Sequence, residues 1–139
     1  MRYLGLDLGT RSLGVSISDK TKTVASFYEN IKYSGDYQEL LDRLDTILEK
    51  ESIELIVLGW PKNMDNTVGE RGIETEAFKK LLEDKYHIDV VLEDERLTTK
   101  LIESVLIDAD LSRKKRKKVV DGLSAVVILQ SFLDRKKEI

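Results

Sequence analysis

The spacing of apolar and polar positions changes along the chain, and each spacing predicts an element. "RYLGLDL" (2–8) is a nearly continuous apolar run and predicts a strand. "LGVSISD" (13–19) alternates, with Leu13, Val15 and Ile17 on one side and small or polar residues on the other. "TVASFYE" (23–29), after the turn-like "DKTK", predicts a third strand. Connections this short imply an antiparallel meander. In 36–50 the period becomes helical, with Leu40, Leu41, Leu44, Ile47 and Leu48 recurring. "IELIVLG" (53–59) is apolar throughout, as in a strand buried on both faces. A polar loop, "WPKNMDNTVGERG" (60–72), precedes a helix expected to turn Ile73, Ala77, Leu81 and Leu82 inward. "HIDVVLE" (87–93) predicts a fifth strand, and helices are expected over 98–109 and about 113–136.

The order β-β-β-α-β-α-β-α-α implies an α/β fold. Right-handed parallel crossovers follow the meander and give a mixed five-stranded sheet: three antiparallel strands and two further parallel ones, with helices on both faces. In such a sheet the first strand is expected to be central. The 139 residues suit one domain, 1–139. An apolar fraction of 41% is enough for a core. The absence of a long apolar run excludes a helical membrane span, and the N-terminus has no signal-peptide pattern. With no cysteine, disulfides, thiolate nucleophiles and Cys-ligated zinc are excluded, and a cytoplasmic location is expected. The net charge of −3 argues against gripping nucleic acid by bulk charge, although "SRKKRKK" (112–118) is a local basic run.

Three carboxylates stand in expensive places. Asp7 interrupts the first apolar strand. "EDERLTT" (93–99) closes the fifth strand, at the end where open α/β sheets hold ligands. Asp121 lies in "KKVVDGLSAVVILQSFL", an almost wholly apolar helix, where it shares a face with Ser124, Ala125 and Ile128. Brought together they would repel one another, and a hard divalent cation with oxygen ligands removes that repulsion. Two such ions about 4 Å apart support in-line phosphodiester hydrolysis. Gly9 would then allow close approach to the backbone, and Thr10 and Arg11 could contact phosphate. Each feature also has a bland reading. Asp7 could cap a turn, Arg96 could neutralise its neighbours, and the basic run could be a solvated helix start. His87, Trp60 and Pro61 read as structural.

In combination, "LGLDLGTRSLGVSISD" (4–19), "GWPKNMDNTVGERG" (59–72), "EDERLTT" (93–99) and "DGLSAVVILQSFLD" (121–134) resemble the YqgF family, also called RuvX, over essentially the whole chain. The resemblance implies a ribonuclease-H-like fold. It implies a cytoplasmic nuclease dependent on Mg²⁺ or Mn²⁺, acting in 5′-end processing of precursor 16S rRNA during ribosome biogenesis, or on four-way DNA junctions as a Holliday-junction resolvase. Its acidic site maps onto Asp7, Glu95 (with Asp94 as the neighbouring alternative) and Asp121, as metal ligands and catalytic residues. Arg11 matches the family's Arg or Lys after "D-x-G-T", and Arg96 and Thr98 match its "DERLT"; with Thr10, and with Lys114, Lys115, Lys117 and Lys118 of the basic run, they are expected to bind nucleic acid. Gly59 and Pro61 match its Gly-x-Pro loop. The sequence departs from the family pattern at Asn66, where Gly is usual, and at Ser12, where a second basic residue is frequent. It departs again at Ser124, where many ribonuclease-H-like nucleases place a fourth acidic residue. Expected partners are structured RNA, including precursor rRNA, or branched DNA. No membrane partner is expected, and the protein is expected to be a monomer or weak homodimer. Two other readings compete: a catalytically silent nucleic-acid-binding domain, and an ATPase, since "GLDLGT" also resembles a phosphate loop of actin-like and sugar-kinase ATPases. No second such segment is present.

Overall fold

A computed structural model describes residues 1–61, 69–94 and 113–137; within the last segment, side chains are described for 123–135. Five strands, β1 (Arg2–Leu8), β2 (Ser12–Ser18), β3 (Ala25–Lys32), β4 (Ile53–Trp60) and β5 (Asp89–Asp94), form one sheet in the order β3-β2-β1-β4-β5. β1 is central. It pairs antiparallel with β2 and parallel with β4, β2 pairs antiparallel with β3, and β4 parallel with β5. The helices are α1 (Tyr37–Lys50), α2 (Glu70–Tyr86) and α3 (Arg113–Lys137). The helix expected over 98–109 lies outside the described residues.

Strand alternation divides the core in two. Leu4, Leu6 and Leu8 of β1, Leu13, Val15 and Ile17 of β2, and Ile56 and Leu58 of β4 pack with Leu40, Leu41, Leu44 and Ile47 of α1 and with Phe78 and Leu82 of α2. The opposite side of the same strands presents Tyr3 and Val57, packed with Ile128, Leu129 and Leu133 of α3. Asp36 caps α1, its side chain accepting from the Gln38 backbone N–H.

Three expectations are corrected. α2 starts at Glu70, inside the expected loop, and its buried side is Gly72, Thr75, Phe78 and Leu82. Ile73 and Leu81 are exposed, at 61% and 41%, and Ala77 faces solvent with them. Phe78, packed 5.2 Å from the Tyr37 ring, decides which side faces the sheet. The Thr75 hydroxyl is satisfied inside the helix by the Arg71 carbonyl, so Thr75 can be buried. β3 runs from Ala25 to Lys32 rather than 23–29. The Asp19 carboxylate accepts from the Thr23 and Val24 backbone N–H groups and holds those residues in the turn. A bulge between Val15 and Ser16 absorbs one further residue.

Candidate metal and nucleic-acid site

The site is built on the α3 side of the sheet, at the C-terminal end of β1. Alternation places Tyr3, Gly5 and Asp7 on this side, and the register carries the level of Asp7 across to Gly14 of β2 and from there to Asn30 of β3. Asp7 is half-buried. The neighbouring residues on this side are small. A Cβ on Gly5 would stand 2.3 Å from Ser16 Oγ, 2.7 Å from Leu129 Cβ and 3.1 Å from the Ala125 carbonyl oxygen. Only glycine lets α3 come this close.

Contacts along α3 give its direction. The Phe132 ring lies 6.0 Å from that of Tyr3. Gln130 accepts from the Ala25 backbone N–H at the start of β3. The Ser16 hydroxyl donates to the Ala125 carbonyl at 2.7 Å, beside Gly5. Going back from residue 132 to 125 thus moves from the level of Tyr3 to that of Gly5. The next turn of α3 backbone, N-terminal to Ala125, carries Asp121. The Asp121 side chain lies outside the described residues, as do Glu95, Arg96 and Thr98. Arg113–Lys118 lie in the first described turns of α3; the side chains of Lys114, Lys115, Lys117 and Lys118 are likewise outside the description.

β5 separates the remaining acidic candidates. Val90 and Leu92 join the α1/α2 core, whereas Val91 packs on the α3 side. Glu93 therefore shares Asp7's side, but it is buried and held by both terminal guanidinium nitrogens of Arg135, each at 2.6 Å. That pairing removes Glu93 from the candidate ligands. Asp94 returns by alternation to the opposite side from Asp7, which disfavours it as the alternative to Glu95.

The turn after Asp7 is fixed from several directions. The Gly9 N–H donates to the Ser12 carbonyl at 2.8 Å. A Cβ on Gly9 would stand 3.0 Å from that same carbonyl oxygen, so glycine serves the turn itself. The Tyr33 hydroxyl donates to the Gly9 carbonyl at 2.6 Å, and Arg71 donates to the Leu8 carbonyl at 2.8 Å. Burial raises the Tyr33 hydroxyl above the ordinary phenol range, with Tyr37 adding to it, so it remains a donor. Thr10 and Arg11 stand exposed at the tip. Sequence reasoning missed Tyr33, Arg71, the Glu93–Arg135 pair and Asn30. For Arg71 a signal existed, since it lies in the "GERG" end of the 59–72 motif.

Among the described residues no three His, Asp or Glu side chains converge. The donors present nevertheless suit a hard cation: a half-buried carboxylate on a rigid strand and, at the same level, the buried Asn30 Oδ1 with no hydrogen-bond partner.

The family model described as "RuvX: Holliday junction resolvase" matches residues 1–135. The chain belongs to the RuvX family. It is 53% identical over 137 residues, 96% of this chain and 98% of the other, to a Bacillus subtilis (strain 168) protein named "Putative pre-16S rRNA nuclease". A Geobacillus sp. (strain WCH70) protein of the same name is 49% identical over 138 residues, 99% of this chain and all of its own. Among solved structures, Thermus thermophilus RuvC in complex with a Holliday junction substrate matches this RuvX chain with a TM-score of 0.58 and 13% identity, over 99% of this chain and 96% of its own. The ribonuclease-H-like fold follows from that likeness. A ROK family protein from Streptococcus pneumoniae TIGR4 matches at TM-score 0.52 and 18% identity. That match takes in 74% of this chain but only 37% of the ROK chain, and the likeness is one of fold alone.

Proposed function

We propose that this RuvX protein is a divalent-metal-dependent nuclease that hydrolyses phosphodiester bonds in precursor 16S rRNA, in the cytoplasm. The observation that carries the reading is full-length identity of about half to relatives bearing that name. The geometry supports it. Asp7, Glu95 and Asp121 would hold Mg²⁺ or Mn²⁺ at the end of the central strand, with Asp7 fixed by β1 and Asp121 supplied by the turn of α3 beyond Ala125. A bound ion would supply Lewis acidity and lower the pKa of its water. The chain's own residues do the rest. Thr10 and Arg11, on a turn held by Tyr33 and Arg71, offer exposed donors to the phosphate backbone beside Asp7. Arg96, Thr98 and the basic start of α3 extend that track. A second reading, cleavage of four-way DNA junctions, is favoured by the family description "Holliday junction resolvase".

The test compares matched single-stranded RNA, duplex RNA and four-way DNA substrates in Mg²⁺ and in Mn²⁺, with parent protein and Asp7→Asn. Asp7→Asn is expected to lose at least about a hundredfold in cleavage, while its melt in chelator stays level or rises, because a like charge has been removed. Cleavage at the parent rate would remove Asp7 from the site. Preference for the junction would replace the first reading by the second. No cleavage of any substrate, with binding retained, would make the protein a silent binding domain.

A further inference from the structure

We propose that Asn30 is a further residue of this site, its amide oxygen accepting a hydrogen bond from a water of the divalent ion held at Asp7. The inference rests on the metal reading above and adds a residue that neither the motifs nor the acidic pattern contain.

Three observations carry it. The first is the register. Asp7 pairs with Gly14 and Gly14 with Asn30, so the three positions form one row across β1, β2 and β3. The second is the side of the sheet. Leu13 and Ile31, the next pair along, lie in the α1/α2 core, and Glu29 accepts from Arg43 of α1. Asn30 therefore points to the other side, with Asp7, Ser16 and α3. The middle of the row is glycine, so the row itself puts no side chain between Asp7 and Asn30. The third is the amide oxygen itself. It is shut off from solvent and has no hydrogen-bond partner among the described residues, whereas Ser16 on the same side uses its hydroxyl on the Ala125 carbonyl. A buried acceptor without a donor is unfavourable and rare, so it marks a place where a donor belongs.

The chemistry selects the donor. Two strand spacings separate the chain positions of Asp7 and Asn30 by about 10 Å, too far for a direct bond between two short parallel side chains. Side chains that lean toward each other over Gly14 narrow that gap to about 7 Å, the span of a ligand–ion bond and an ion–water bond of about 2.1 Å each and a water hydrogen bond of about 2.8 Å. Water on a cation turns its hydrogens outward and needs acceptors. A neutral amide oxygen accepts without adding a further charge to a carboxylate cluster.

The test measures Mn²⁺ binding to the full chain, by the electron paramagnetic resonance of free Mn²⁺, alongside melts in chelator. The proteins are the parent, Asp7→Asn, Asn30→Ala and Asn30→Asp. Asn30→Ala is expected to bind Mn²⁺ about tenfold more weakly and to melt no lower than the parent in chelator, since it loses no bond there. Asn30→Asp, which adds a charged oxygen, should bind more tightly than the parent. Parent-like binding by Asn30→Ala, with binding lost in Asp7→Asn, overturns this inference alone. If the parent binds no Mn²⁺, both this inference and the metal reading fall. If Asn30→Ala melts well below the parent, Asn30→Asp decides: tighter binding upholds the inference, and equal or weaker binding overturns it.

Discussion

The two sides of β1 differ residue by residue: Leu4, Leu6 and Leu8 face α1 and α2, whereas Tyr3, Gly5 and Asp7 face α3. The same division continues in β2, with Leu13, Val15 and Ile17 against Gly14, Ser16 and Ser18. One side is closed by branched aliphatic residues and gives the strand its rigidity. The other is graded. It is aromatic at the N-terminal end, bare at Gly5 where α3 touches the sheet, and carboxylate at the C-terminal end. An aspartate on a central strand is tolerable because the cost falls on one side only, at the strand end, while the other side fixes its backbone.

Breaking the aliphatic side has the largest expected effect. Leu6 is fully buried between β1 and the α1/α2 layer. Leu6→Ala should lower stability by about 3 kcal/mol, from lost transfer energy plus the cavity left behind. Chemical denaturation would measure it. Cleavage per folded molecule should change far less than in Asp7→Asn, because the α3 side is untouched. Equal losses in both properties would show that the two sides are coupled.

This division also sets what could be read from the sequence. Alternation in 13–19 and the unbroken apolar run of 53–59 located β2 and β4, and the central place of β1 was expected from the mixed sheet that the element order implies. Asp7 was legible because a charge in an apolar run is an anomaly. α2 was misjudged because it has two apolar stripes: Ile73, Ala77 and Leu81 are as regular as the side that packs. Periodicity cannot choose between stripes when the buried one contains Gly72 and Thr75 and depends on Phe78 meeting Tyr37. Asn30 was invisible for another reason. Its role depends on cross-strand register and on a bulge, and neither is written in local composition.

The Glu93–Arg135 pair sharpens the comparison on the α3 side, since it separates a structural carboxylate from a chemical one. The Glu93 side chain is 5% exposed and that of Arg135 56%. Arg135→Met should cost about 2 kcal/mol, mostly by stranding a buried charge, with the exposed half of the pair already screened by water. Adding Glu93→Gln to that variant should recover part of the loss. Cleavage should be unaffected throughout. A cleavage defect in Glu93→Gln alone would place Glu93 among the ligands after all.

Acid should produce the smallest effect, and it acts on the rim of the sheet and on α1. Asp19 is held down to about 2, first by the Thr21 hydroxyl and then by the Thr23 and Val24 backbone N–H groups. Arg43 lowers Glu29, Ser34 lowers Glu39, and the Tyr86 hydroxyl lowers Asp45. In each case the folded value lies below the unfolded one. The stabilisation is therefore complete above the unfolded carboxylate range and is lost as pH falls through the folded values. For Asp19 the window runs from its ordinary 3.8 down to about 2. Melting temperature should be level from pH 7 to about 5 on this account and decline below pH 4. Asp19→Asn should decline less steeply between pH 4 and pH 2 than the parent, because its side chain no longer gains a proton there. Parallel declines would mean that the turn after β2 contributes nothing to acid sensitivity, and that Glu29, Glu39 and Asp45 around α1 carry it.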